Sequence, residues 1–136
     1  MLPQSPAPEE GRLTAWRDAH GQWFDGGRAW GFSVPAMGSS MGPAGLPAEG
    51  WSVTLYDVET RGFIDTPWDL VGRGSDDALA RQADGSVALI FSPQPPADAP
   101  RSNWIPTTPG RAWFAVFRFR GAGVEEGWAL PEIAAL

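Results

Sequence analysis

The sequence predicts an all-β fold: a single-domain antiparallel β-sandwich of jelly-roll type with an irregular N-terminal arm. Three observations carry this. Residues 51–57 set Trp51, Val53 and Leu55 against Ser52, Thr54 and Tyr56, the period of two of a strand with one dry face. Residues 111–120 alternate in the same way, with Trp113, Ala115, Phe117 and Phe119 on one face. The 136 residues include 17 Gly and 14 Pro, which helix interiors tolerate poorly, and eight Trp, which favour half-buried sheet faces. A chain of this length buries one core.

Residues 1–44 read as the arm. Residues 1–11 are Pro-rich and polar, a composition that does not order by itself. Leu13, Trp16 and Ala19 fall on one face of a short helix ending before Gly21. Trp23, Phe24, Trp30, Phe32 and Val34 form an apolar cluster broken by Asp25-Gly26-Gly27, which reads as a hairpin. Residues 35–50 form a Gly/Pro/Ser-rich loop.

Residues 45–136 read as the sandwich module. Strands are expected at 51–57, 61–64, 68–72, 86–92 and 111–120. Asp84-Gly85 is the strongest hairpin signal in the chain and predicts a strand at 79–82 paired with residues 87–91. A capped helical turn at Ser75-Asp76-Asp77-Ala78 is the alternative there. In the strand at 111–120 the second face carries Phe114, Val116, Arg118 and Arg120. Both faces are apolar at its start, so that end is covered on two sides, and the odd face fills the core of a two-sheet sandwich. No repeat period or heptad is present.

Five pieces in order resemble a known family. They are the strand Trp51-Ser52-Val53-Thr54-Leu55-Tyr56-Asp57 and the hairpin tip Asp84-Gly85. The turn Asn103-Trp104-Ile105-Pro106 follows, then Gly110 leading into Phe114-Ala115-Val116-Phe117-Arg118-Phe119, and the closing Trp128-Ala129-Leu130-Pro131. This order is similar to that of the domain of unknown function 1214, with Ile105 where the family carries Leu. The resemblance covers roughly residues 45–131. Residues 66–72 fit the pattern poorly, and residues 1–44 fall outside it. In many relatives the module follows a larger companion domain, which this chain has no room for. The resemblance implies a stand-alone β module and no established activity.

Composition excludes several chemistries. All ten basic residues are Arg, so no Schiff-base, Walker or general-base lysine exists. There is no Cys, hence no thiol nucleophile, disulfide or thiolate metal site. A net charge of −6 argues against a nucleic-acid partner, which needs a basic face. Glu9 and Glu10 sit where the apolar core of a signal peptide would lie, so no export signal is read, and the location stays open. No stretch approaches the ~18 apolar residues of a membrane span.

The motifs that imitate catalysis lack their context. Gly38-Ser39-Ser40-Met41-Gly42 matches a nucleophile elbow, but the Pro and Gly residues that follow forbid the helix it requires, and His20 precedes Ser40 rather than following it. His20 is the single imidazole, so no metal site is expected. Asp65, Asp69, Asp76 and Asp77 lack the spacing of a Ca²⁺ loop and read as solvated carboxylates, as do Glu125 and Glu126.

The residues singled out for binding are Tyr56, Asn103, Trp104 and Arg118. Asn103 is expected to bond the backbone two residues on while the Trp104 indole packs at the sheet edge. In the ligand reading, Trp104 and Tyr56 wall a pocket and Arg118 anchors an anion. In the structural reading, Arg118 pairs with Asp57 or Glu125. The function expected is a non-catalytic module without a cofactor, binding a glycan or small anionic molecule, or serving assembly through a homo-oligomer contact. The alternative is a small hydrolase or lyase acting through carboxylates or Ser40.

Overall fold

The computed structural model describes residues 10–18, 20–35, 50–120 and 132–136. Among them the strands run β1 (Glu10–Ala15), β2 (Phe24–Asp25), β3 (Trp30–Val34), β4 (Gly50–Asp57), β5 (Gly72–Gly74), β6 (Val87–Ser92), β7 (Trp104–Pro106), β8 (Ala112–Arg120) and β9 (Ala134–Ala135). One sheet has the order β1-β8-β4-β5, with β2 also on β8; the other is β7-β6-β3-β9. All pairs are antiparallel except β6 with β7. No helix of the described residues is long and apolar enough to cross a membrane.

Alternation along β8 sets the core. Trp113, Ala115, Phe117 and Phe119 are buried among Val53 and Leu55 of β4, Phe32 and Val34 of β3, and Leu89 and Phe91 of β6. Ring centroids of Phe32 and Phe117 lie 4.9 Å apart, and those of Phe91 and Trp113 5.0 Å apart, so the inner faces of the two sheets interdigitate. Phe114 and Val116, on the opposite face, are also buried. This end of β8 is covered on both sides, as its sequence requires.

The N-terminal residues depart most from expectation. Where a short helix is expected from Leu13, Trp16 and Ala19, residues 10–15 form β1, in register with β8 from Glu10↔Arg120 to Ala15↔Ala115; Ala19 lies outside the described residues. Leu13 and Ala15 pack against the core. Over so few residues a spacing of three and a spacing of two are both legible, and the open edge of β8 selects the strand. The turn at Asp25-Gly26-Gly27 exists, yet it is not a hairpin: β2 pairs with β8 in one sheet, and β3 with β6 in the other. Only glycine fits at position 26, since a Cβ there would meet the carbonyls of Thr108 and Arg111.

Three further strands are corrected. Residues 61–64 make a turn and a single bridge, Tyr56↔Phe63. The strand expected at 68–72 is β5, at Gly72–Gly74. The turn at Asp84-Gly85 forms, with Gly85 at φ 87° and the Gln82 N–H donating to the Ser86 carbonyl. Residues 79–82 nevertheless form no strand, because β3 and β7 already occupy both edges of β6.

Two turns are held by carboxylates. The Ser86 hydroxyl and N–H both donate to Asp84 Oδ1, at 2.6 and 2.9 Å, and hold that carboxyl below its ordinary value of 3.8. The N–H groups of Gln22 and His20 do the same for Asp18. A depressed native value gives stability that is present above the unfolded-state value and is lost as pH falls through the native one. We therefore expect both turns to loosen below pH 3.8. Amide exchange at Ser86 and Gln22 followed down the acid range is the check; protection that persists after both carboxyls are protonated would contradict the coupling.

Candidate functional site

The outer face of the five-stranded sheet carries an unusual set of side chains. Because Leu13, Ala15 and the odd residues of β8 point inward, Arg12 and Thr14 of β1 point outward with Phe114, Val116 and Arg118. On β4, Ser52, Thr54 and Tyr56 share that face. The register sets them in rows across the strands: Arg12, Arg118 and Ser52, then Thr14, Val116 and Thr54, then Phe114 and Tyr56. Trp16, just past β1, and Phe63, bridged to Tyr56, extend the last row at both ends.

That last row is an aromatic band. Trp16 stacks on Phe114 at 3.9 Å, Phe114 on Tyr56 at 5.3 Å, and Tyr56 on Phe63 at 5.3 Å. Trp23 meets Trp16 edge-on at 6.3 Å. Phe63 is 63% and Trp23 41% exposed, so the band reaches solvent at both ends.

Guanidinium groups cover its rings. Arg61 lies over Trp16 at 4.8 Å, which leaves the indole between Arg61 and Phe114. Arg17 lies over Trp23 at 4.0 Å and donates to the Gly21 carbonyl. Such contacts contribute about 0.5–1 kcal/mol at exposed sites. Arg118 reaches from the first row to the third, where its Nη2 donates to the Tyr56 hydroxyl at 3.4 Å.

Among the described residues these cations have no carboxylate partner. Among the described residues the ion pairs are those of Arg111, with Asp57 at 3.5 Å and Glu59 at 2.7 Å. Asp57 thus pairs with Arg111 and not with Arg118. Arg12 and Arg118 stand directly opposite on neighbouring strands, a like-charge placement that destabilises a sheet unless an anion relieves it. A guanidinium that rests its face on a ring keeps its edge N–H groups for in-plane bonding to a carboxylate.

The four residues named from sequence divide between two places. Tyr56 and Arg118 meet on this outer face. Trp104 begins β7 of the other sheet and Asn103 ends the 3-10 turn Arg101–Asn103 that leads into it; they are 2% and 3% exposed. The Trp104 indole N–H donates to the Ser92 carbonyl and hydroxyl at 3.0 and 3.1 Å. Asn103 does not bond the backbone two residues on. Its Nδ2 donates to the carbonyls of Ala80 and Ala88, and its Oδ1 accepts from the Ala80 N–H. It holds residue 80 as a neighbouring strand would. Arg73 ties the sheet edges together, its Nε donating to the Trp104 carbonyl across from β5.

Arg12, Trp16, Arg61 and Phe63 were not named from sequence. The alternation of Arg12 and Thr14 against Leu13 and Ala15 is a legible signal for the first; the others depend on turns that bring them onto the sheet. His20 is exposed in a turn rather than at a helix end. Ser40 with its Gly-rich flanks, Glu125, Glu126 and residues 128–131 lie outside the described residues. Among the described residues, no three His, Asp or Glu side chains are placed to hold a metal ion.

A family model described as "Protein of unknown function (DUF1214)" matches residues 9–123. The chain belongs to the DUF1214 family. The match takes in β1, β2 and β3, so the family pattern begins well before residue 45, where the sequence resemblance set it. No curated protein matches the chain. Two crystal structures share the fold. The VPA0106 protein from Vibrio parahaemolyticus has a TM-score of 0.75 and 24% identity, over 96% of this chain and 31% of that one. An uncharacterised protein from Burkholderia cenocepacia has a TM-score of 0.60 and 17% identity, over 93% of this chain and 29% of that one. The DUF1214 chain described above thus spans under a third of the length of both.

Proposed function

We propose that this DUF1214 chain is a non-catalytic binding module, and that the outer face of its five-stranded sheet takes an anionic ligand. One observation carries the reading: Arg118 stands opposite Arg12 with no carboxylate in ion-pair reach among the described residues. Arg118 is the anchor, and the Tyr56 hydroxyl fixes its orientation. Asn103 and Trp104 serve the frame of the opposite sheet. A neutral glycan fits less well, because the indole faces it would stack on are taken by Arg61 and Arg17. Hydrolysis through Ser40 or through carboxylates is the competing class; it needs turnover, and binding does not. The jelly-roll type belongs to the same reading. The placement of β1 beside β8 supports it, and the parallel β6–β7 pair departs from it.

The test is a thermal-shift and calorimetric screen of di- and tricarboxylates against neutral oligosaccharides. A carboxylate at 100 times its Kd is expected to add about 2.7 kcal/mol of stability. Arg118→Ala is expected to remove that gain, and added salt to weaken it. A screen in which no anion moves the melt would refute the proposal. Consumption of a compound that persists through repurification would restore the hydrolase reading.

A further inference from the structure

We infer that a groove on the outer face of the four-stranded sheet binds a small amphiphilic cation, an apolar body carrying one ammonium or guanidinium group. The inference goes beyond the anion-binding reading and uses the opposite sheet. Alternation sets the floor of the groove. Leu89 and Phe91 of β6 and Trp30 and Phe32 of β3 fill the core, so Ile90 and, just before β3, Ala29 face outward. Both are half-buried. Leu136 forms one wall. Its N–H donates to the Ala29 carbonyl, and its side chain lies against the backbone of Gly31, where a Cβ would come within 2.9 Å of Cδ2. The loop after β6, with Pro93 and Pro96, forms the other wall. The groove holds about 500 Å³, inside the range of roughly 300–1,000 Å³ for small-molecule sites.

The chemistry of the lining selects the ligand. Ile90, Ala29, Leu136 and the proline rings are apolar, and Leu136 is 73% exposed. The Ser92 hydroxyl is already engaged: it donates to the Gln94 carbonyl at 2.7 Å and accepts from the Trp104 indole N–H at 3.1 Å. Among the described residues that line the groove, Asp98 alone is charged, and no described cation pairs with it. An exposed carboxylate beside an apolar floor suits a cation whose apolar body lies in the groove. The net charge of −6 adds attraction at longer range. The prolines fix their own φ angles, and the Ser92–Gln94 bond holds the start of the loop. The wall is therefore set before a ligand arrives, which lowers the ordering cost of binding.

Other occupants fit less well. An anion would meet Asp98 and, among the described lining residues, no guanidinium. A folded partner buries about 800 Å² on each side, whereas this groove is walled on two sides and has the volume of a small-molecule site. A neutral apolar molecule would fill the floor and leave Asp98 unused.

The experiment titrates the full chain with 2-phenylethylammonium, 2-phenylethanol and 3-phenylpropionate, which share one ring and differ in the charge of the head group. Amide chemical shifts locate the binding and give the affinity. The ammonium compound is expected to shift Ala29, Ile90 and Leu136. It is expected to bind about two- to fivefold more tightly than the alcohol, the range of an exposed ion pair. The carboxylate is expected to bind there most weakly, and added salt to narrow the differences. Asp98→Asn is expected to bring the ammonium compound down to the affinity of the alcohol, and Leu136→Ala to weaken both. Both side chains are exposed, and a thermal melt of each variant establishes that it is folded. Equal affinity of the ammonium compound and the alcohol would make the ligand a neutral apolar molecule and overturn the cation assignment. Shifts confined to residues outside the groove, or none from any of the three at millimolar concentration, would overturn the site itself.

Discussion

Replacing Trp104 by alanine is expected to destabilise the fold by about 3–5 kcal/mol, the range for removing a large buried aromatic. The ring is 2% exposed, meets Trp68 edge-on at 5.1 Å, and lies beneath the Arg101 guanidinium at 5.6 Å. The change leaves a cavity at the edge strand β7. It also removes the indole N–H from the Ser92 carbonyl and hydroxyl. Urea denaturation of wild type and variant measures the effect. A loss under about 1 kcal/mol would mean that the site collapses around alanine without penalty, against the packing argument. Trp104→Phe helps to separate the two contributions, since it keeps a six-membered aromatic ring in the site while removing the donor and the smaller ring of the indole.

Asn103→Ala is expected to cost about 2–4 kcal/mol. The estimate counts three lost backbone bonds at about 0.5–1.5 kcal/mol each. The variant Asn103→Asp gives a sharper signature. Its oxygen can still accept from the Ala80 N–H, but an ionised carboxylate would face two carbonyls where the amide donated. The folded state then favours the protonated acid, so its native value is raised. Stability is retained below the unfolded-state value and lost as pH rises through the native one. Denaturation midpoints at acid and neutral pH check this; an Asp variant with the pH profile of the wild type would show that water replaces the clamp.

Residues 51–57 and 111–120 show how much of the fold was legible. Each is a run of alternating apolar residues long enough that only a strand satisfies it, and each buries the face its pattern assigns. Residues 79–82 and the segment around Leu13 show the limit. Both are short, and their patterns fit more than one period, so the choice fell to pairing partners. β6 had no free edge to offer, and β8 had one. The 61–64 segment reduced to one bridge for a related reason: Val71 and β5 take the edge of β4 from Leu55 back to Ser52.

The candidate site divides in the same way. Arg118 was visible as a charged residue sharing a strand face with Phe114 and Val116, and Tyr56 as an outward member of its strand. Their meeting required the β4–β8 register, which sets Tyr56 and Arg118 two rows apart on one face. Trp104 drew notice as an indole in a turn, but a Trp in a turn looks the same in sequence whether it lines a pocket or fills a core. Sequence alone determined that this chain forms sheets, has no thiol or lysine chemistry, and carries its cations as arginine. Tertiary structure alone decided that Arg12 stands across from Arg118, and that Arg61 and Trp16 meet over Phe114. The reason is physical: alternation along a strand is a local property of the chain, whereas register and turn placement come from packing between residues far apart in sequence.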